Sequence, residues 1–138
     1  MKTLQEIFDY GLNHIRQQGA QCIKDGGTDC AYRNAAGHSC IVGGFFTAEN
    51  YDPEFDSGKC GGPAVTLMVK RSSAFNDELD QAGVDTEDWQ VVSLLSEMQG
   101  CHDKVVFGGG DGEFIRDFNR RMQDLANRLG LNYTPPTQ

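Results

Sequence analysis

The chain of 138 residues is 38% hydrophobic and sets 20 acidic against 12 basic residues, a formal net charge of -8. That size and apolar content suit one domain spanning 1–138 with its own core, and the negative balance argues against general binding to a phosphate backbone. Five cysteines at uneven spacings do not make the dense framework of a secreted scaffold, which predicts reduced thiols in a cytoplasmic protein. The first twelve residues hold no apolar run of leader or membrane-span length, and the mean hydropathy of -0.48 agrees, so no membrane partner is expected.

In chain order, Thr3-Leu4-Gln5-Glu6 is a capping box, and Leu4, Ile7, Phe8, Leu12 and Ile15 recur at helical spacing until Gly19. His14 lies beside that stripe, where a satisfied or exposed helix histidine is the plainer reading than a ligand. Residues 20–28 form a connector broken at Gly26-Gly27.

The stretch 29–46, DCAYRNAAGHSCIVGGFF, reads as a β-hairpin. Asn34-Ala35-Ala36-Gly37 suits a type I turn followed by a left-handed glycine. In that register Asn34 faces His38, Tyr32 faces Cys40 and Cys30 faces Val42. Period-two alternation then puts Cys30, Tyr32, His38, Cys40 and Val42 on one side, and Ala31, Arg33, Ser39 and Ile41 on the other. Cys30 and Cys40 become diagonal neighbours, roughly 7–8 Å apart and too distant for a relaxed disulfide.

Thr47 caps a single turn that Pro53 stops, and 52–62 is an irregular loop containing Cys60. Pro63 opens a helix through Val65, Leu67, Met68, Arg71 and Phe75. Asp85 or Thr86 caps the next helix, with Trp89, Val92, Leu95 and Met98 on its buried side and the polar group Gln99, Cys101, His102 and Asp103 at its end. Residues 105–112 are a glycine-rich loop without the Gly-Lys-Ser/Thr ending of a nucleotide-binding loop, and a flexible connector is the better reading. A last helix over 112–129 buries Phe114, Ile115, Phe118, Met122, Leu125 and Leu129 and turns Arg116, Arg120, Arg121 and Arg128 outward. The tail from Tyr133 to Gln138 is expected to be extended and poorly ordered.

Several groupings bear on function. Asp77, Glu78, Asp80, Asp85, Glu87 and Asp88 cluster around one helix junction; they read as solvated charge, or as an acidic patch that docks on a basic host protein. Cys22, Cys30, His38, Cys40, Cys60, Cys101 and His102 offer soft ligands for zinc, but no C-x-x-C knuckle stands among them. A thiolate of Cys30, Cys40 or Cys101 activated by His38 or His102 would make a nucleophile, although adjacent Cys101-His102-Asp103 cannot assemble one from itself. Tyr32, Arg33, His38, Gln99, His102 and Asp103 together suit stacking on a ring and pairing with a phosphate or carboxylate. These six are the predicted ligand-binding residues; neither a metal nor a cofactor is assigned.

The combination CAYRNAAGHSCIVGGFF, then ENYD, then LLSEMQGCHD before a final amphipathic helix, resembles a group of small uncharacterised bacteriophage proteins. The likeness runs from the first helix to about Gly130 and falls on Cys30, Tyr32, Arg33, Gly37, Cys40, Gly43, Tyr51, Gln99, His102 and Asp103. The group has a third cysteine soon after the second; here Gly44, Phe45 and Phe46 stand in that region, so the resemblance carries no metal site. It implies a phage origin and a set of positions, not a reaction. The expected fold is α+β, a central β-hairpin or small antiparallel sheet packed against four to five α-helices. The expected function is a non-enzymatic phage accessory protein that binds a host bacterial protein and inhibits or modulates it, in anti-defence or host takeover. The alternatives are a binder of a nucleotide-like small molecule and a thiol- or zinc-dependent enzyme, and the amphipathic helices leave room for a homodimer.

Overall fold

Thr3 and Glu6 cap each other reciprocally: the Thr3 hydroxyl accepts from the Glu6 amide at 3.1 Å, and the Glu6 carboxylate accepts from the Thr3 amide at 3.0 Å. Two of the amides that a helix start leaves without partners are thereby satisfied. Helix α1 (Leu4–Gln18) follows, burying Ile7, Phe8, Leu12 and Ile15, and ends at Gly19, whose φ of 72° lets its amide reach the Ile15 carbonyl. The computed structural model describes residues 1–23, 30–46, 51, 53–56, 62–103 and 110–136. Within them lie four more helices: α2 (Gly62–Arg71), α3 (Ser73–Gln81), α4 (Trp89–Asp103) and α5 (Asp111–Leu129). The expected connector and turn at 24–28 and 47–50, Cys60, and the glycine-rich loop from 105 to 109 fall outside the described residues.

Helix α4 is the axis, packed on α1, α2 and α5. Val91, Leu95, Met98 and His102 follow one another at i, i+3 and i+4 spacing, with Val92, Leu94 and Gln99 beside them, and all are buried. A buried stripe that wide belongs to a helix enclosed on most sides. It starts later than its acidic residues suggest. Asp85 takes the Glu87 amide at 3.0 Å, Asp88 takes the Gln90 amide at 2.9 Å, and the Asp88 carbonyl accepts from Val92. Asp88 therefore opens the helix, and Trp89, expected on the buried side, is 74% exposed. The helix expected to run from Pro63 through Phe75 is also two helices. Ser72 sits in an extended conformation and its hydroxyl caps α3 by accepting from the Phe75 amide.

The expected α+β fold is not found. Among the described residues there is no strand, only the isolated antiparallel bridges Ile23–Cys30 and Arg33–Ser39. The turn itself forms, with the Asn34 amide on the His38 carbonyl, the Cys40 amide on the Tyr32 carbonyl, and Gly37 at φ 85°. The next rung would join the Val42 amide to Cys30. Instead the Val42 amide goes to Gln99 Oε1 at 3.3 Å, and the Ala31 amide goes to the Cys22 carbonyl. Beyond Cys40 the chain coils into a 3-10 turn, Gly43–Phe45, with the Gly44 amide on the Cys40 carbonyl. On the second predicted face Ala31, Ser39 and Ile41 are as buried as Cys30, Tyr32, Cys40 and Val42 on the first, with Arg33 and His38 half-buried. This segment is an interior loop, and a ribbon with one wet side cannot occupy its place.

Rings of Tyr32, Phe46, Phe55 and Phe75 meet at centroid distances of 5.3–6.2 Å, mostly edge to face, and join the loop to α3. At the far end, Arg16 donates to Asn119 of α5, to the Thr134 carbonyl and to the Tyr133 hydroxyl, and its guanidinium lies over the Tyr133 ring. Residues 131–136 lie outside any helix or strand, and these bonds tie Tyr133 and Thr134 to α1. Among the described residues no helix is long and apolar enough to cross a membrane.

A methyl group on Gly43 would fall on the Tyr32 backbone carbonyl, whereas one on Gly11 would meet the flexible end of Met98. Gly43→Ala is expected to cost upwards of about 1–3 kcal/mol, the scale of an overpacked core, and Gly11→Ala less. Urea midpoints at unchanged slope check the order.

Candidate functional site

The polar residues at the C-terminal end of α4 turn inward. Gln99 and His102 are each 0% exposed. Backbone N–H groups of the interior loop meet both: Val42 donates to Gln99 Oε1, and Cys22 donates to His102 Nε2 at 3.0 Å. Because Nε2 accepts, the ring proton sits on Nδ1, which donates to Asp103 Oδ1 at 2.7 Å. Gln99 Nε2 donates to both Asp103 oxygens, at 3.1 and 3.2 Å. Asp103 is thus held by its own helix. Gln21 completes the group by donating to the His102 carbonyl at 2.9 Å and to Cys30 Sγ at 3.4 Å.

Cys30 Sγ, the His102 ring and the Asp103 carboxylate lie within 4.8 Å of one another, a donor set of the kind zinc takes. The imidazole does not fit that role as it is placed. Metal at Nδ1 would move the ring proton to Nε2, directly against the Cys22 amide, and metal at Nε2 would displace that amide. The same two bonds leave no ring nitrogen to take a proton from Cys30, so the arrangement is not a thiol–imidazole pair. Nor are the thiols of Cys40 and Cys101 activated. Burial pushes the Cys40 thiol well up, with Asp103 adding to the shift, and burial raises Cys101 to about 11. Among the described residues, Cys22, Cys30, Cys40 and Cys101 form no disulfide.

Of the six predicted ligand-binding residues, Gln99, His102 and Asp103 form one connected group. Among the described residues, the side chains of Arg33 and His38 make no hydrogen bond to it, and Tyr32 lies in a different cluster. Tyr32 is 2% exposed inside the aromatic cluster. Arg33 donates to the Phe46 carbonyl at 2.8 Å, and its Nε has no partner among the described residues. His38 takes part through its backbone, accepting from the Asn34 amide and the Cys22 thiol. Gln21 and the backbone of Cys22 complete the network without having been singled out in the sequence.

A second cluster lies on α1. His14 Nε2 is 2.8 Å from Ser39 Oγ and 3.2 Å from the Ser39 carbonyl, and Gln18 bonds both the amide and the carbonyl of Ser39. It is the satisfied helix histidine that the sequence suggested. The outward arginines of α5 are largely neutralised: Arg120 and Arg121 pair with Asp117, and Arg128 pairs with Glu97. In comparisons with known proteins, no family model, no curated protein and no solved structure matches the chain.

His102→Ala strands the buried Cys22 amide and leaves a cavity, so it is expected to cost on the order of 3 kcal/mol. Trp89→Ala, at the exposed end of the same helix, should stay within about 0.5 kcal/mol; equal losses in denaturant melts would contradict this division. For His14, burial lowers the pKa from the ordinary 6.5. The unfolded chain therefore takes the proton first, and stability should be full above about 6.5 and fall as pH drops toward the lowered value. A His14→Gln variant should lack that slope when melting temperature is followed from pH 7.5 to 5.

Proposed function

We propose that the protein is a non-enzymatic bacteriophage accessory protein that acts in the host cytoplasm by binding a host protein and inhibiting or modulating it. The observation that carries this reading is the inward, mutually satisfied placement of the residues that a catalytic or ligand-binding role would use. Gln99 and His102 are closed to solvent and hold backbone amides, and the raised Cys40 and Cys101 thiols are poor nucleophiles at neutral pH. Of the ten positions that carry the phage resemblance, six, Cys30, Tyr32, Cys40, Gly43, Gln99 and His102, are buried, Arg33, Tyr51 and Asp103 are half-buried, and Gly37 is exposed. The six build the frame, which leaves the outer surface to choose the partner. A nucleotide-like ligand at Tyr32, Arg33, His38, Gln99 and His102 would need side chains that face the solvent, and three of these five are at most 2% exposed.

Immobilised protein exposed to bacterial extract, with cross-linking and mass spectrometry, is expected to retain one host protein in near-equal amount. Its expression in bacteria should perturb the process that this protein serves. Retention of no specific host protein, or turnover abolished by Cys30→Ser, would overturn the reading.

A further inference from the structure

Trp89 is the chain's single tryptophan, and it stands in water at the first turn of α4. Two grooves flank it and share it as a wall. One, about 360 Å³, runs between α2 and α4 past Thr66, Val69 and Lys70. The other, about 190 Å³, lies between α4 and the ends of the neighbouring helices, against Leu4, Leu94, Leu129 and Leu131. Ser93 lines both. Its small side chain makes a low saddle on α4, where an occupant can pass from one groove to the other beside the indole. Exposed leucines occur singly on most surfaces, but an exposed tryptophan between two apolar grooves has the make-up of an interface anchor with pockets at its sides.

The charge around it selects the occupant. Glu87 lines the larger groove, and both Glu87 and Asp88 are exposed next to the indole; Asp80 and Asp85 lie on the approach to the helix. Lys70 is the one basic residue among those lining the two grooves, and Glu97 is already paired with Arg128. A second copy of this chain would set the same carboxylates face to face, and a phosphate-bearing ligand would meet them as well. We infer that the Trp89 surface docks a basic amphipathic segment of a protein partner, whose apolar side chains enter the two grooves while its Lys or Arg residues pair with Glu87 and Asp88. The inference rests on the binding-protein reading and gives it a location and a partner chemistry.

The sole tryptophan is its own reporter. The probe is a synthetic peptide with Leu and Phe on one helical face and Lys and Arg on the other, compared with a version carrying Glu in place of Lys and Arg and with a shuffled basic version. The basic amphipathic peptide is expected to shift the emission to the blue in a saturable way that added salt weakens, and the two controls to leave it unchanged. Glu87→Lys combined with Asp88→Asn, which keeps an oxygen to cap the Gln90 amide, should weaken binding about tenfold. Ser93→Phe should block the saddle while leaving Trp89 in place. No shift with the basic peptide, an equal shift with either control, unchanged affinity in both variants, or a concentration-dependent shift without peptide would each overturn the inference. A host protein retained equally by wild type and by the charge variant would remove this surface and leave the binding-protein reading standing. No host protein retained by either would remove that reading, and the peptide titration would still decide the surface.

Discussion

An irregular segment inside a protein must find partners for its amides, because a buried N–H left alone costs a sizeable part of the total stability. Here the segment around residues 30–46 runs through the interior with too few bridges of its own, and two side chains from α4 supply what it lacks. Gln99 accepts from Val42, and His102 accepts from Cys22. The rest of the arrangement depends on these two bonds. They set the tautomer of His102, which makes Asp103 its acceptor, and they place the Gln99 amide on the same carboxylate. They also divert the Val42 amide from the hairpin ladder, so the chain coils at Gly43 instead of continuing as a strand.

The same bonds occupy both ring nitrogens of His102, the atoms that a role in proton transfer would use. A histidine, a carboxylate and a thiol within 4.8 Å of one another resemble a reactive centre in composition. Reactivity requires a free ring nitrogen or a thiolate, and the packing of this interior disfavours both. Burial alone raises thiol pKa values, since a thiolate loses its hydration. The carboxylate of Asp103 near Cys40 shifts that thiol in the same direction. The hydrogen bonds of this cluster run inward, from the backbone amides of Cys22 and Val42 to His102 and Gln99 and from these side chains to Asp103.

Helical periodicity was legible in the sequence: the capping box and stripe of α1 appear where the pattern puts them, and so does the apolar face of α5 as far as Leu125, whereas Leu129, expected to be buried, is 45% exposed. The tip of the predicted hairpin was legible too, because Asn34 and Gly37 suit one turn geometry. Its strands were not. Ala31, Ser39 and Ile41 alternate with Cys30, Tyr32 and Cys40 as a half-buried strand would, but small and apolar residues on both sides equally describe a segment enclosed on both sides. Trp89 was misplaced for a related reason. It lies six residues before Leu95, about 240° around the helix, and only the later stripe Val91, Leu95, Met98, His102 shows which way α4 faces. That stripe was also the available signal that His102 points inward. Nothing local marked Gln21 or the amide of Cys22, which meet α4 across some eighty residues of sequence.

Helix α4 thus has two ends with opposite tasks. Its C-terminal end is spent on the interior, locked by Gln99 and His102, and its middle is held by Leu95 and Met98. Its N-terminal end is free of such duties, and Asp88 caps it with a carboxylate while the indole of Trp89 projects outward. A side chain presented from a helix fixed along most of its length loses little conformational freedom when it is covered, and that preorganisation is what turns exposed apolar area into affinity. The acidic residues ahead of it act at longer range, drawing a basic surface toward the indole and turning away a second acidic copy. A tryptophan in the core of so small a domain would add more to stability than one in water. Its position at the rigid, acidic end of the central helix makes sense as a surface kept for a partner.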